Sequence, residues 1–127
     1  MRKVVQVYGD FSGRLDHTLS ALSVQKEFSR SFLSLKWYGL RSTSQVLWPG
    51  QHSLKLDLTT EAKKGCGLLP IFGEASVTSR GLRWEVASET PLKMGGVVSS
   101  SNEVLGESVE VNVASESNPV LWVTQLK

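Results

Sequence analysis

Hydrophobic and polar residues alternate most cleanly from His52 to Thr60, where Leu54, Leu56 and Leu58 are interleaved with Ser53, Lys55, Asp57 and Thr59. Successive side chains of a strand point to opposite faces, so this period of two makes one oily face and one wet face. The same logic marks other strands. Lys3 to Tyr8 is rich in valine and reads as the first. Leu33, Leu35 and Trp37 alternate with Ser34, Lys36 and Tyr38, which suggests a second strand or else the tail of a helix, closed by Gly39. Ala75 to Ser79 and Leu82 to Val86 flank Arg80-Gly81 as the arms of a tight hairpin. A last hairpin is predicted from Val109, Val111 and Val113, a turn at Ser115 to Pro119, and a return over Val120 to Gln125.

One stretch has a different period. Leu15, Leu19, Leu22 and Lys26 recur at helical spacing, and Ala21, Val24, Phe28 and Phe32 run along another side. The helix should begin near Gly13, capped by Ser12, with Asp16 in its first turn, and should end near Arg30. A helix apolar on two sides is either sandwiched or keeps one side for a partner. The remaining segments read as loops. Arg41 to Gln51 carries an apolar tip, Val46, Leu47 and Trp48, ahead of the Pro49-Gly50 turn. That tip is a candidate partner or membrane contact. Glu61 to Pro70 reads as a loop, and residues 88–106, with Pro91, Gly95-Gly96 and three successive serines, as a long mobile one.

Together these elements predict an α+β fold: a mostly antiparallel β-sheet with one N-terminal helix packed on it and a C-terminal β-hairpin, with residues 1–127 as a single domain. No strand–helix–strand alternation recurs, which argues against a doubly wound nucleotide fold.

Charge changes the picture more than composition does. Residues 1–64 hold ten lysines and arginines against five carboxylates, and residues 65–127 hold four against seven. The basic set Arg2, Lys3, Arg14, Lys26, Arg30, Lys36, Arg41, Lys63 and Lys64, joined by Lys55, is the candidate contact for an acidic partner or nucleic acid. Trp37 and Tyr38 could stack on bases, and an anionic membrane surface would suit the same cations. No apolar run approaches the roughly 20 residues of a membrane-spanning helix. The first residues carry no signal-peptide pattern. Cys66 is the single cysteine, so no internal disulfide forms, and no Asn-X-Ser/Thr acceptor exists. The cytoplasm is the expected compartment.

No motif announces a chemistry. Cys66 with His17 or His52, and Asp16 or Asp57 as orienter, can be written as a nucleophilic trio, but nothing local supports it. A lone cysteine reads as a small buried hydrophobe. The two histidines and the cysteine lack zinc-ligand spacing. Gly65-Cys66-Gly67 starts like a dinucleotide fingerprint, but Pro70 stands at the third glycine's place. The glutamates of the second half, such as Glu85 and Glu110, fall at wet strand positions. No cofactor is implied.

The element order, a valine-rich strand, an early helix, and an antiparallel sheet with a closing hairpin, resembles the core of rhabdovirus-type matrix proteins. That resemblance implies a non-catalytic protein that self-associates beneath a membrane and touches a nucleocapsid. The sequence-based expectation is therefore a structural or interaction protein, not an enzyme, acting as a homo-oligomer in host cytoplasm or virion with no small-molecule substrate. The alternative is a nucleic-acid-binding accessory protein, such as an RNA-binding suppressor of host defence.

Overall fold

The computed structural model describes residues 3–9 and 13–127. The elements follow as β1 (Val4–Tyr8), α1 (Leu15–Ser29), β2 (Ser34–Tyr38), β3 (Ser42–Leu47), β4 (Gly50–Lys55), β5 (Lys64–Leu69), β6 (Val77–Arg80), β7 (Ser99–Glu103), β8 (Ser108–Val113) and β9 (Val120–Gln125). They build a six-stranded sheet in the order β1-β2-β3-β9-β5-β7 and a three-stranded sheet in the order β4-β8-β6. Every pairing is antiparallel except β1 with β2, which run parallel and are joined through α1. The α+β class, mostly antiparallel with one early helix on the sheet, is the architecture observed.

The core lies between the two sheets. Leu54, Val77, Val109, Val111 and Val113 face it from the smaller sheet, and Leu47, Cys66, Leu68, Val120 and Trp122 from the larger. The alternation at Leu54 and Leu56 points these side chains inward, as the period of two dictates. The opposite face of the small sheet is wet and cross-linked. Ser53 Oγ and Gln51 Nε2 donate to the two carboxylate oxygens of Glu110, and Asn112 Nδ2 donates to Gln51 Oε1.

Several predicted loops are strands. β3 replaces the loop at Arg41 to Gln51. Its first half, Ser-Thr-Ser-Gln, is polar yet buried at Thr43 and Ser44, because each hydroxyl finds a partner: Thr43 meets Thr124, and Ser44 donates to Gln25. Buried polar groups with partners leave no hydrophobic period to read. β5 replaces the loop at Glu61 to Pro70. Its glycines permit close strand contact: a Cβ on Gly67 would come within 2.6 Å of the Ser99 carbonyl oxygen. The segment 88–106 is also held down, by β7 and by Leu92, which is buried and pairs with Ala75.

Both hairpins are corrected. β8 pairs with β4 and β6, whereas β9 pairs with β3 and β5, so the 114–119 connection passes from one sheet to the other. Alternation reports which face is apolar, not which strand is the neighbour. Leu82 leaves β6 to bridge Val104 instead. The Glu85 carboxylate closes the intervening turn by accepting from Ser79 Oγ and from the main-chain N–H of Gly81 and Leu82, so it is no merely solvated side chain.

α1 occupies the predicted range, but its seat is polar. Gln25 and Ser29 are its buried residues, while Leu15, Leu19, Val24 and Phe28 are exposed. Gln25 Nε2 donates to the Ser44 carbonyl at 2.7 Å, and Ser44 Oγ donates to Gln25 Oε1 at 2.8 Å. Arg14 stands at the N-cap position without a side-chain cap, and the proposed cap Ser12 lies outside the described residues. No helix among the described residues is long and apolar enough to cross a membrane.

Candidate functional site

The residues singled out from sequence do not gather. Val46 is 7% and Leu47 1% exposed, so the expected apolar anchor is mostly core. β3 carries both into the sheet, and Trp48 is held beside α1, its indole N–H donating to Ser29 Oγ and the Arg30 guanidinium lying 3.8 Å from its ring centre. The basic residues are separately engaged: Arg14 with Asp16, Lys26 over the Phe72 ring, and Lys36 with the buried Glu61. Lys3, Arg41, Lys63 and Lys64 are exposed at the start of β1, before β3 and at the start of β5, and Arg2 is outside the described residues. Cys66 is fully buried, and burial pushes its thiol up to about 11, away from thiolate chemistry. Neither His17 nor His52 hydrogen-bonds to it; His52 Nε2 donates to the Trp48 carbonyl instead.

A different set converges where β5 starts and β7 ends. Lys64, Gly65, Arg83, Trp84, Ser101, Asn102 and Glu103 line an open cleft of about 380 Å³. Among them Trp84 is 58% exposed, unusual for the largest apolar side chain. It is not loose. Asn102, only 3% exposed, brackets its main chain: the Trp84 N–H donates to Asn102 Oδ1 at 3.2 Å, and Asn102 Nδ2 donates to the Trp84 carbonyl at 2.8 Å. The same amide nitrogen donates to Ser99 Oγ, and Asn102 Oδ1 also accepts the Glu103 N–H. Asn102 thus acts as a side-chain splice between the Trp84 segment and β7. From the other side the Glu85 carboxylate pins the turn that delivers Trp84.

The backbone here is irregular in ways that cost free energy. Ser101 has φ +53°, the one non-glycine residue with positive φ among those described. Such a conformation is disfavoured for a residue with a Cβ and clusters at functional positions. The β5–β7 register slips on both sides of Cys66, and bulges of this kind re-aim side chains beside sites. Gly65 adopts φ +84°, a left-handed conformation that strains any residue carrying a Cβ. Electrostatically the cleft mixes signs. Glu103, with its side chain 23% exposed, has Arg83 Nη1 3.7 Å from Oε1, and the Arg83 guanidinium carbon lies 5.1 Å from the Trp84 ring centre.

An exposed aromatic face beside a half-buried carboxylate suits a flat cationic ligand. Sequence inspection missed Trp84, Ser101, Asn102 and Glu103. Trp84 alternates with Leu82 and Val86 as though it faced inward, and the serines read as loop. The arrangement rests on one strained residue and one splinting amide, and neither leaves a motif.

Comparison with known proteins assigns the family. Residues 51–117 match the family described as thiamin pyrophosphokinase, vitamin B1 binding domain. Thiamine pyrophosphokinase 1 of Oryza sativa subsp. japonica is 30% identical over 125 residues, covering 97% of this chain and 45% of the relative. Thiamin pyrophosphokinase 1 of Caenorhabditis elegans is 32% identical over 112 residues, covering 87% and 45%. The chain therefore spans less than half the length of these relatives. Thiamine pyrophosphokinase from Bacillus subtilis has a similar fold, with TM-score 0.81 at 16% identity over 98% of this chain and 56% of that one. The yeast thiamin pyrophosphokinase structure gives 0.77 at 22% identity over 96% and 39%.

These matches overturn the resemblance to viral matrix proteins, which rested on element order alone. With it go the expected non-catalytic structural role, the RNA-binding alternative, and the nucleocapsid and membrane partners. The expectation of no small-molecule substrate falls as well, since the family is named for a vitamin. The matched stretch contains Trp84, Ser101, Asn102 and Glu103, and the chain belongs to the thiamin pyrophosphokinase vitamin B1-binding domain family.

Proposed function

We propose that this chain holds thiamin for a pyrophosphokinase, and that the Trp84 cleft is where the vitamin sits. The observation that carries this reading is the exposed, splinted Trp84 beside the Glu103 carboxylate, within the residues that match the family. Thiamin joins a neutral aminopyrimidine to a permanently cationic thiazolium. A cation over an indole face gains about 0.5–2 kcal/mol, depending on desolvation. Glu103 supplies a counter-charge, while Ser101 offers a hydroxyl and main-chain groups at the rim. The site needs little reorganisation, because Asn102 and Glu85 already fix the main chain around Trp84.

A pyrophosphokinase makes a new P–O bond between the acceptor hydroxyl and a diphosphoryl group and breaks one within a nucleoside triphosphate. The chain spans 45% of the rice relative, so we assign it the holding of the vitamin within that reaction. For the compartment we propose the cytoplasm, because a single buried thiol gains nothing from an oxidising environment.

Calorimetric titration with thiamin tests the reading. Saturable binding is expected in the wild type, weakened about tenfold or more in Trp84→Ala, as for a central aromatic contact. Trp48→Phe, on the far side of the sheet order, should leave it unchanged. No saturable binding at millimolar thiamin, or equal binding in Trp84→Ala, would remove the proposal.

A further inference from the structure

The cleft has two features that attract a cation, the Trp84 ring and the Glu103 carboxylate, and one side chain of this chain already occupies both. Arg83 places its guanidinium carbon 5.1 Å from the ring centre and Nη1 3.7 Å from Glu103 Oε1. Its hold on each is weak. Charge-assisted N–H···O bonds are typically about 2.7–2.9 Å long, so 3.7 Å is attraction without a well-formed hydrogen bond. The Arg83 side chain is 58% exposed, and its main-chain N–H is separately fixed to the Glu103 carbonyl at 2.8 Å. The side chain can therefore swing out while the backbone stays. Lys64, paired with Glu103 across β5 and β7, is the other cation lining the cleft, and no ion pair to Glu103 engages it.

We propose that Arg83 is a resident cation, an internal competitor that occupies the Trp84–Glu103 pair until a cationic ligand displaces it. The inference rests on the reading of the cleft as a thiamin site and deepens it by naming the side chain that limits affinity for the cation. A thiazolium can take over both attractions, and Arg83 then moves into solvent, where a guanidinium is well hydrated. A neutral pyrimidine can take over neither electrostatic contact, so nothing drives Arg83 away. The side chain thereby lowers affinity for a cationic ligand, which must displace it, and has little effect on a neutral one, which leaves it in place.

The inference has an unusual sign, since removing a polar side chain from the cleft should strengthen binding. In Arg83→Gln the guanidinium charge goes while length, polarity and the main-chain bond remain. Thiamin affinity, measured by calorimetry at low salt, is expected to rise about two- to fivefold, the size of one exposed cation–π contact. The probe 4-amino-5-hydroxymethyl-2-methylpyrimidine, the neutral half of the vitamin, should gain less than thiamin does. Arg83→Lys, which restores a cation, should return thiamin affinity toward the wild type. Thermal melting of each variant checks that the cleft is still folded.

If the wild type binds thiamin and Arg83→Gln binds it equally or more weakly, the resident-cation role is wrong and the site reading stands. A gain that is equal for thiamin and for the neutral probe also overturns it, because that would reflect space rather than charge. If neither protein binds thiamin, the site reading and the inference fall together.

Discussion

The β1-α1-β2 unit and the two-sheet sandwich are assembled on opposite principles. In the sandwich, Leu68, Val104, Val109, Val111 and Trp122 exclude water almost completely, and the few buried polar residues, such as Ser79, Asn102 and Thr124, all have hydrogen-bond partners. In the β1-α1-β2 unit, apart from the buried Leu35 of β2, the order is reversed. Gln25 and Ser29 are buried, Val4, Leu15, Leu19, Val24 and Phe28 are exposed, and the indole N–H of Trp37 is the one buried side-chain donor without a partner among the described residues. One region is held by area removed from water and the other by a few directed bonds. Only the first kind of cohesion shows as a hydrophobic period.

The largest test of that contrast is truncation in the sandwich. Trp122 is 2% exposed and lies beside Leu68 in the β5–β9 register. Trp122→Ala should cost about 3–5 kcal/mol, as lost transfer free energy and an unfilled cavity add. Denaturant melts would read this as a lower midpoint at similar slope. A loss below about 1 kcal/mol would mean that the sandwich interior is not the cohesive element.

Next in size is the seam between the two regions. Glu61, 1% exposed, accepts from Lys36 Nζ at 2.7 Å and from Thr124 Oγ1 at 2.6 Å. Lys36 belongs to β2 and Thr124 to β9, so one carboxylate ties the parallel pair to the sandwich. Glu61→Ala leaves the Lys36 ammonium, 16% exposed, without its counter-charge. The expected loss is about 3 kcal/mol, at the lower end for a broken buried pair because Lys36 can reach water.

These cases show what was legible. The fold class could be read because Leu54, Val109, Val111 and Val113 obey the period of two and the α1 leucines obey the helical one. The seat of α1 could not be read, because Gln25 and Ser44 are ordinary surface residue types until they face each other. β3 and β5 were missed for related reasons: one buries satisfied hydroxyls, the other uses glycine to bring backbones together. The Trp84 cleft was missed because its specificity lies in conformation, in Ser101 at φ +53° and in Asn102 bridging 18 residues back to Trp84. The charge asymmetry was real, but Arg14 and Lys36 spend their charge on Asp16 and Glu61 rather than on a shared surface.

A pH titration sharpens the contrast from within the sandwich. The Cys66 thiol is raised from 9.0 to about 11 because burial disfavours the thiolate. A raised folded value favours the protonated form in the fold. Its contribution is intact below the unfolded value and is lost as pH climbs from about 9 to about 11. The loss should approach at most about 2–3 kcal/mol, two pK units' worth. In Cys66→Ala the slope of stability over that pH interval should flatten. An unchanged slope would show that other groups carry the alkaline loss. In the α1 seat, Gln25→Ala should cost about 1–3 kcal/mol, because it strands the Ser44 carbonyl and hydroxyl inside.

The smallest expected effect is the most direct probe of the contrast. Leu19 is a leucine at a helical position with 57% of its surface exposed. In the sandwich, removing a leucine side chain costs about 2–5 kcal/mol. On α1 the side chain is already mostly in water, so Leu19→Ser should change stability by no more than about 0.5 kcal/mol, mainly through helix propensity. Equilibrium urea melts of this chain at several concentrations would measure it. A loss above about 1 kcal/mol would place Leu19 in a packed interface. The exposed pair Leu15 and Leu19 would then be held by apolar burial like the sandwich, and the division between the two regions would disappear.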